Sequence, residues 1–369
     1  MKKLLFAAYS LDVGGIEKAL LTLANALVER GYDITLVLEK KQGIFLKELN
    51  KKINIIEYKT SESSNIILRK LKNLINRVKF IIKYKNKFDF SACFATYSIP
   101  AAFVSQVASK NNCLWGHADY LTLFNKNEEQ VKEFFIQRKY YKFKKVIFVS
   151  EEGKNSFIKI FPNMIQKTIC CNNLIDYRKI QKLSNEKIDI QKQEKTVTFL
   201  NVGRHDEKQK KLTRIIEASK KLANEEINFK VLLVGDGPDN QMYRELVEKY
   251  KLEKNIIFLG AKENPYPYFK ISDCVILTSD YEGYPVVFLE SFVLNKPLIT
   301  TKVSDYKDIE EKYGYVTQKT VEDIYDKMKL FIEKGYEIKQ KFDGKQYNEN
   351  IISTLEKIFW KVEIWVKLV

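Results

Sequence analysis

Histidine occurs only twice in 369 residues, at His117 and His205, and cysteine five times. The cysteines (Cys93, Cys113, Cys170, Cys171, Cys274) are odd in number, scattered and without any C-x-x-C spacing. This argues against a disulfide framework and a clustered zinc site, and leaves reduced, mostly buried thiols. Long hydrophobic runs are missing too. None approaches the roughly 18 residues a membrane span needs, so no segment is expected to cross a bilayer. The opening MKKLLFAAYSLD imitates a signal peptide, but its short apolar part runs straight into Asp12 and a glycine pair, which suits a buried strand better.

Ordinary globular composition is present instead. Hydrophobic residues make up 45% and charged residues 30%, far from a disordered profile. A chain of 369 residues exceeds the size at which one core keeps growing, so two domains are expected. The formal charge of +16 calls for an anionic partner: nucleic acid, acidic lipid or a phosphorylated ligand.

Short β-rich apolar runs alternate with helix-period segments, the pattern of a parallel sheet covered by helices on both faces. Strands are expected at 3–10, 33–39, 53–58, 88–96, 112–116 and 145–150, then at 196–203, 229–235, 255–260, 274–279 and 297–301. The first helix carries Ile16, Leu20, Leu23 and Leu27 on one stripe and stops at Gly31, as a C-terminal glycine allows. The polar, highly charged segment 176–195 reads as a linker. The expected domains are therefore 1–180 and 181–345, with 346–369 a C-terminal helix suited to packing back on the first domain. That helix has an apolar face of Ile351, Leu355, Phe359 and Ile364. Two doubly wound domains place a cleft between the carboxyl ends of their strands.

Three loops of the second domain follow strand ends: NVGRHDEKQKK, VGDGPDN and TSDYEGYP. GDGPDN misses the dinucleotide fingerprint because Asn240 stands at the third glycine position, which disfavours a nicotinamide enzyme. Gly14 and Gly15, at a strand end before a helix, could let backbone N–H groups approach a phosphate, or could form a simple tight turn. Arg204 stands at a strand's carboxyl end, where ligands of such sheets bind, with Lys208, Lys210 and Lys211 behind it. Pro285 suits a first helical turn, so Glu282 lies in the preceding loop and Glu290 inside the helix. Gly283 leaves its backbone N–H open to an anion or a sugar oxygen.

EGYPVVFLE resembles the glutamate, seven residues, glutamate motif of retaining family 4 glycosyltransferases of the GT-B fold, and VGR, VGDGP and FLG occur in the same order there. The resemblance implies two Rossmann-like α/β domains facing across a cleft. It implies that Glu282 binds donor-sugar hydroxyls, with Gly283, Tyr284 and Pro285 beside it, and that Glu290 holds the ribose. Arg204 would grip the diphosphate with a lysine. Where the family has a lysine five residues after the arginine this chain has Gln209, which points to Lys210 first and Lys208 second. Gly235 on the second loop and Gly14 and Gly15 complete the donor side. His117, in WGHADY, matches the histidine near the transferred sugar. No D-x-D triplet occurs. Arg204 and a lysine would therefore do a metal's work, and with retention the leaving phosphate would take the acceptor's proton, so no carboxylate base is needed. The implied donor is a nucleotide sugar, a UDP-sugar first, with no cofactor and no metal. The implied acceptor is a lipid-linked or other glycan of the cell surface. A nucleotide-sugar epimerase or hydrolase shares the fold and is the runner-up. A basic nucleic-acid-binding protein is a remote alternative, because its aromatics should be exposed among the charges.

Residues 66–87 carry eight Lys and Arg and no acidic residue, while Ile67, Leu71, Leu74, Ile75, Val78 and Ile82 recur at helical spacing. Such a helix can lie on an anionic membrane or pack on a core with its basic side in water. The first alternative predicts a cytoplasmic protein held peripherally on the inner face of the cell membrane.

Overall fold

The computed structural model describes residues 1–12 and 14–360, and these divide into two units. Unit 1 comprises Met1–Leu174 and the segment from Tyr347 onward; unit 2 is Ile175–Gln346.

Unit 1 is built on a seven-stranded sheet ordered β3-β2-β1-β4-β5-β6-β7. Its strands are β1 (Lys3–Ala8), β2 (Asp33–Leu38), β3 (Asn54–Glu57), β4 (Phe90–Cys93), β5 (Asn112–Gly116), β6 (Lys145–Phe148) and β7 (Thr168–Cys170). Neighbouring strands pair in parallel, with Leu4 opposite both Ile34 and Phe90. The central strand has helices over both faces, so Leu4, Leu5, Phe6 and Ala7 are all fully buried. That is why it reads as a continuous apolar run rather than an alternation. Helix α1 (Gly15–Glu29) buries Leu20, Leu23 and Leu27, each contributing about 1.5–3 kcal/mol when fully removed from water. Just beyond it Gly31 takes φ +84°, a conformation glycine adopts without steric cost. Helix α2 (Ile66–Tyr84) and helix α3 (Ile99–Ala108) follow β3 and β4. The C-terminal helix Gly344–Trp360 contributes Phe359 and Trp360 to unit 1: Phe359 lies 4.5 Å from Phe90, and Trp360 stacks 6.0 Å from Tyr32. Ile364, expected on its apolar face, lies outside the described residues.

Unit 2 has a six-stranded parallel sheet ordered β10-β9-β8-β11-β12-β13. Its strands are β8 (Val197–Val202), β9 (Phe229–Val234), β10 (Ile256–Gly260), β11 (Cys274–Leu277), β12 (Leu298–Thr301) and β13 (Gly314–Thr317). Both orders are doubly wound and reverse direction beside one strand, between β1 and β4 in unit 1 and between β8 and β11 in unit 2. Ligands of open α/β sheets bind at the carboxyl ends of such strand pairs.

Two edge strands, β7 (TIC) and β13 (GYVT), escape the sequence reading because each holds only one aliphatic residue and does not stand out as an apolar run. The expected linker is also partly structured. Its first half forms the helix Tyr177–Leu183, capped by Asp176, whose carboxylate accepts from the Lys179 N–H at 3.1 Å. Ile180 is buried on this helix, so a single well-placed apolar residue and a cap outweigh the polar composition.

Candidate functional site

In unit 2 the loops after β8 and β11 converge at the switch point. Asp280 N–H donates to the Gln209 carbonyl at 2.8 Å, and the Thr278 hydroxyl donates to the carbonyls of Lys210 and Lys211 at 3.1 and 3.0 Å. Arg214, on the helix Leu212–Asn224, bonds Asp280 at 2.7 Å and the Thr278 carbonyl at 2.9 Å. These bonds fix the two loops against each other. Within them the Lys210 ammonium lies 2.6 Å from the Glu282 carboxylate, which also accepts from the Ser279 hydroxyl at 2.7 Å. The Glu282 side chain is 9% exposed and that of Lys210 21%, so the pair is largely withdrawn from water. A buried carboxylate needs such a partner, because desolvation without one costs several kcal/mol.

Arg204 stands beside this pair in sequence but in a different environment. Its guanidinium is 64% exposed and pairs with Asp206. Gln209 reaches the same carboxylate as Lys210: its amide donates to the Tyr281 carbonyl at 3.2 Å and to Glu282 at 3.4 Å. The structure therefore brings Lys210 rather than Lys208 to Glu282; Lys208 is exposed. Lys211 adopts φ +53°, an unusual conformation for a lysine, immediately before the helix Leu212–Asn224.

Glycine sets the close approach of the next loop. A Cβ on Gly235, which has φ +146°, would fall 1.8 Å from the Gly203 carbonyl oxygen. One on Gly237 would fall 2.3 Å from the His205 carbonyl oxygen. The His205 N–H donates to the Asp236 carbonyl at 2.9 Å, so the loops after β8 and β9 touch backbone to backbone.

Pro285 is the N-cap of the helix Val286–Val293, and Glu282 and Gly283 lie in the loop before it. Gly283 is buried and its carbonyl accepts from the Ser304 hydroxyl. The Tyr284 ring packs edge-on 6.3 Å from Phe288. Glu290 sits inside this helix, 2% exposed, accepting from the Tyr266 hydroxyl at 3.3 Å.

Unit 1 places Gly14 and Gly15 at its own switch point, after β1. Gly14 is the N-cap of α1 with extended backbone, and Gly15 has open space around it. The Glu17 carboxylate folds back over Gly14: a Cβ there would lie 2.1 Å from its oxygen. Glu17 also accepts from the Tyr97 hydroxyl at 3.1 Å, and burial raises its pKa above the ordinary carboxylate value. His117 follows β5, with its ring 4.5 Å from Phe94. Burial pushes its pKa down to about 3, so the imidazole is neutral, and Nε2 is buried with no partner among the described residues.

His205, Ser279, Gln209 and the Arg214–Asp280 pair were not among the sequence candidates. His205 stood next to the chosen arginine and was the one with a visible signal. Its Nδ1 lies 3.1 Å from the Asn240 side-chain oxygen, and burial lowers its pKa.

Residues 184–349 match the family model of glycosyl transferases group 1. An uncharacterized glycosyltransferase of Methanocaldococcus jannaschii is 32% identical over 166 residues, 44% of this chain but only 41% of that protein. The match thus spans about two-fifths of that relative's length. The N-acetylgalactosamine-N,N'-diacetylbacillosaminyl-diphospho-undecaprenol 4-alpha-N-acetylgalactosaminyltransferase of Campylobacter jejuni is 25% identical over 82% of this chain and 81% of its own. Among solved structures, Anabaena HepE in complex with UDP and glucose superposes with a TM-score of 0.74 and 19% identity, covering 96% of this chain and all of that one. That likeness concerns the fold, and the expected class of two Rossmann-like α/β units is the one found. Most of unit 2 thus resembles the glycosyl transferases group 1 model, within a chain of GT-B fold.

Proposed function

We propose that this protein is a retaining glycosyltransferase that moves a sugar from a nucleotide-sugar donor, a UDP-sugar first, to a lipid-linked glycan acceptor without a metal ion. The observation that carries this reading is the Lys210–Glu282 pair at the carboxyl edge of β8 and β11, with the exposed Arg204 on the same loop. The family match and the sugar-transferring relatives support it. In the reaction the acceptor oxygen bonds to the sugar's anomeric carbon as the bond to the phosphate oxygen breaks. The acceptor's proton passes to that phosphate oxygen, giving a glycoside and a nucleoside diphosphate. Negative charge grows on the departing diphosphate, and fixed cations such as Arg204 and Lys210 lower the barrier to its departure. Glu282 takes hydrogen bonds from donor-sugar hydroxyls, and Glu290 from the ribose. In unit 1, the neutral His117 has a buried ring nitrogen of the kind that bonds a sugar hydroxyl.

The positive charge by itself does not favour nucleic acid. Among the described residues only two aromatics, Tyr97 and Tyr141, are exposed, too few to form a stacking platform. The test is product analysis by NMR after incubation with UDP-sugars, with and without a membrane-lipid acceptor fraction and with EDTA. The expected product is a glycoside of the donor's anomeric configuration, formed in EDTA and only when acceptor is present. An inverted product or a strict need for Mg²⁺ or Mn²⁺ contradicts the mechanism. A freed or epimerised sugar without acceptor replaces transfer by hydrolysis or epimerisation.

A further inference from the structure

Helix α2 is built inside out. Of its 19 residues only Phe80 is buried, against Tyr58 at 5.4 Å. Ile67, Leu71, Leu74, Ile75, Val78 and Ile82 are between 44% and 80% exposed. At about 100° per residue they fall within a single arc of about 100°. Asn73, Asn76 and Phe80, which fasten the helix to unit 1, lie on the opposite side. Asn73 accepts from the Ser61 N–H at 2.7 Å, and Asn76 donates to the Lys59 carbonyl at 3.0 Å. Lys70 and Arg77 flank one edge of the apolar arc, Lys72 and Lys79 the other. A cavity of about 420 Å³ opens along that second edge, lined by Lys59, Lys72 and Lys79 with Thr60 and Ser61.

We infer that α2 is a docking surface for an anionic lipid bilayer, with its apolar arc in the interface and the Lys59–Lys72–Lys79 cavity taking a lipid headgroup phosphate. Charge decides the occupant. Residues 66–87 hold eight cations and no anion, so a second copy of α2 would meet like charge along its whole length. The acidic groups next to the cavity already have partners: Glu57 lies 3.3 Å from Lys59, and Glu62 lies 3.2 Å from Lys40. An interfacial helix needs an exposed apolar face bordered by Lys and Arg on both sides, and α2 meets that requirement. No helix among the described residues is long and apolar enough to cross a membrane, so surface docking is the mode available to α2. The inference does not depend on which reaction the protein performs.

The test is co-sedimentation of the full chain with vesicles of equimolar phosphatidylcholine and phosphatidylglycerol, against vesicles of phosphatidylcholine alone. Binding is expected only with the anionic vesicles and should weaken with salt. Each cation at an anionic surface multiplies partitioning by about fivefold, so Lys72→Gln with Lys79→Gln should lower it about 25-fold. Leu71→Ser, Val78→Ser and Ile82→Ser together should lower it at least as much. These side chains are exposed, so the melting temperature should hold and a loss of binding is not a loss of fold. Equal binding to neutral vesicles overturns the inference, as does undiminished binding by either variant. A concentration-dependent dimer that the serine variant dissolves assigns the face to a second copy and overturns it too.

Discussion

Each unit joins an acidic side chain to a partner across its switch-point strand pair, and the partners differ. In unit 1 the switch point between β1 and β4 brings Glu17 to the Tyr97 hydroxyl. In unit 2 the switch point between β8 and β11 brings Glu282 to the Lys210 ammonium. Burial raises the pKa of Glu17, which has a neutral partner. The comparison teaches that the fold supplies the meeting place while the partner sets the charge presented to a ligand. Unit 2 thus offers cations suited to phosphate. Unit 1 offers a hydroxyl-bonded carboxylate and a neutral imidazole, which suit a sugar's hydroxyls.

The largest expected effect comes from breaking the charged pair. Lys210→Ala leaves Glu282 buried without its cation and should cost unit 2 about 3–5 kcal/mol in urea unfolding. Tyr97→Phe removes a hydroxyl partner of Glu17 and should cost about 1 kcal/mol. Equal losses would erase the contrast. Next comes Arg204→Ala, expected to lower kcat by about 10²–10³-fold, as loss of one fixed transition-state donor does. The exposed Arg204 contributes little to packing, so stability should stay within about 0.5 kcal/mol, and an unchanged kcat at saturating donor would remove it from the diphosphate site. Glu290→Ala should weaken donor binding by about 1.5–3 kcal/mol, a rise in Kd of roughly 10- to 150-fold measured by equilibrium titration.

Near neutral pH the smallest effect is the pH response of unit 1. His117 is neutral in the fold, with its pKa lowered to about 3, whereas in the unfolded chain it gains a proton near its ordinary value of about 6.5. Below that value the unfolded state binds more protons. His117's contribution is therefore complete above about pH 6.5 and is lost as the pH falls toward 3, by at most about 1.4 kcal/mol per unit. His117→Phe should flatten this part of the stability curve; an unchanged slope would assign it to other groups.

Much of this was legible in the chain because parallel strands buried on both faces write themselves as apolar runs. Leu4–Ala7 and Val231–Val234 are such cases. Edge strands β7 and β13 were not, since Thr168–Cys170 and Gly314–Thr317 hold too few aliphatic residues to stand out as apolar runs, unlike the comparably short β6 and β11. The Tyr177–Leu183 helix was hidden by its lysines, with Ile180 the main apolar signal. At the site, Arg204, Glu282 and Glu290 could be read from their places at strand ends and a helix start. Lys210 ranks ahead of Lys208 in the sequence, but both adjoin Gln209, and it is the backbone path of the loop that turns the Lys210 ammonium toward Glu282. His205 and Ser279 were missed for the same reason: they act through loop-to-loop contacts that have no sequence period.

The central claim is that unit 2 grips a nucleoside diphosphate through Arg204 and Lys210, and isothermal titration tests it most directly. UDP, GDP, CDP and ADP should be titrated into the full chain and into Arg204→Ala, each beside the corresponding nucleoside without phosphates. The account predicts that one diphosphate binds far more tightly than its nucleoside and that Arg204→Ala removes most of that difference. Binding of no diphosphate, or a diphosphate advantage that survives in Arg204→Ala, would contradict it.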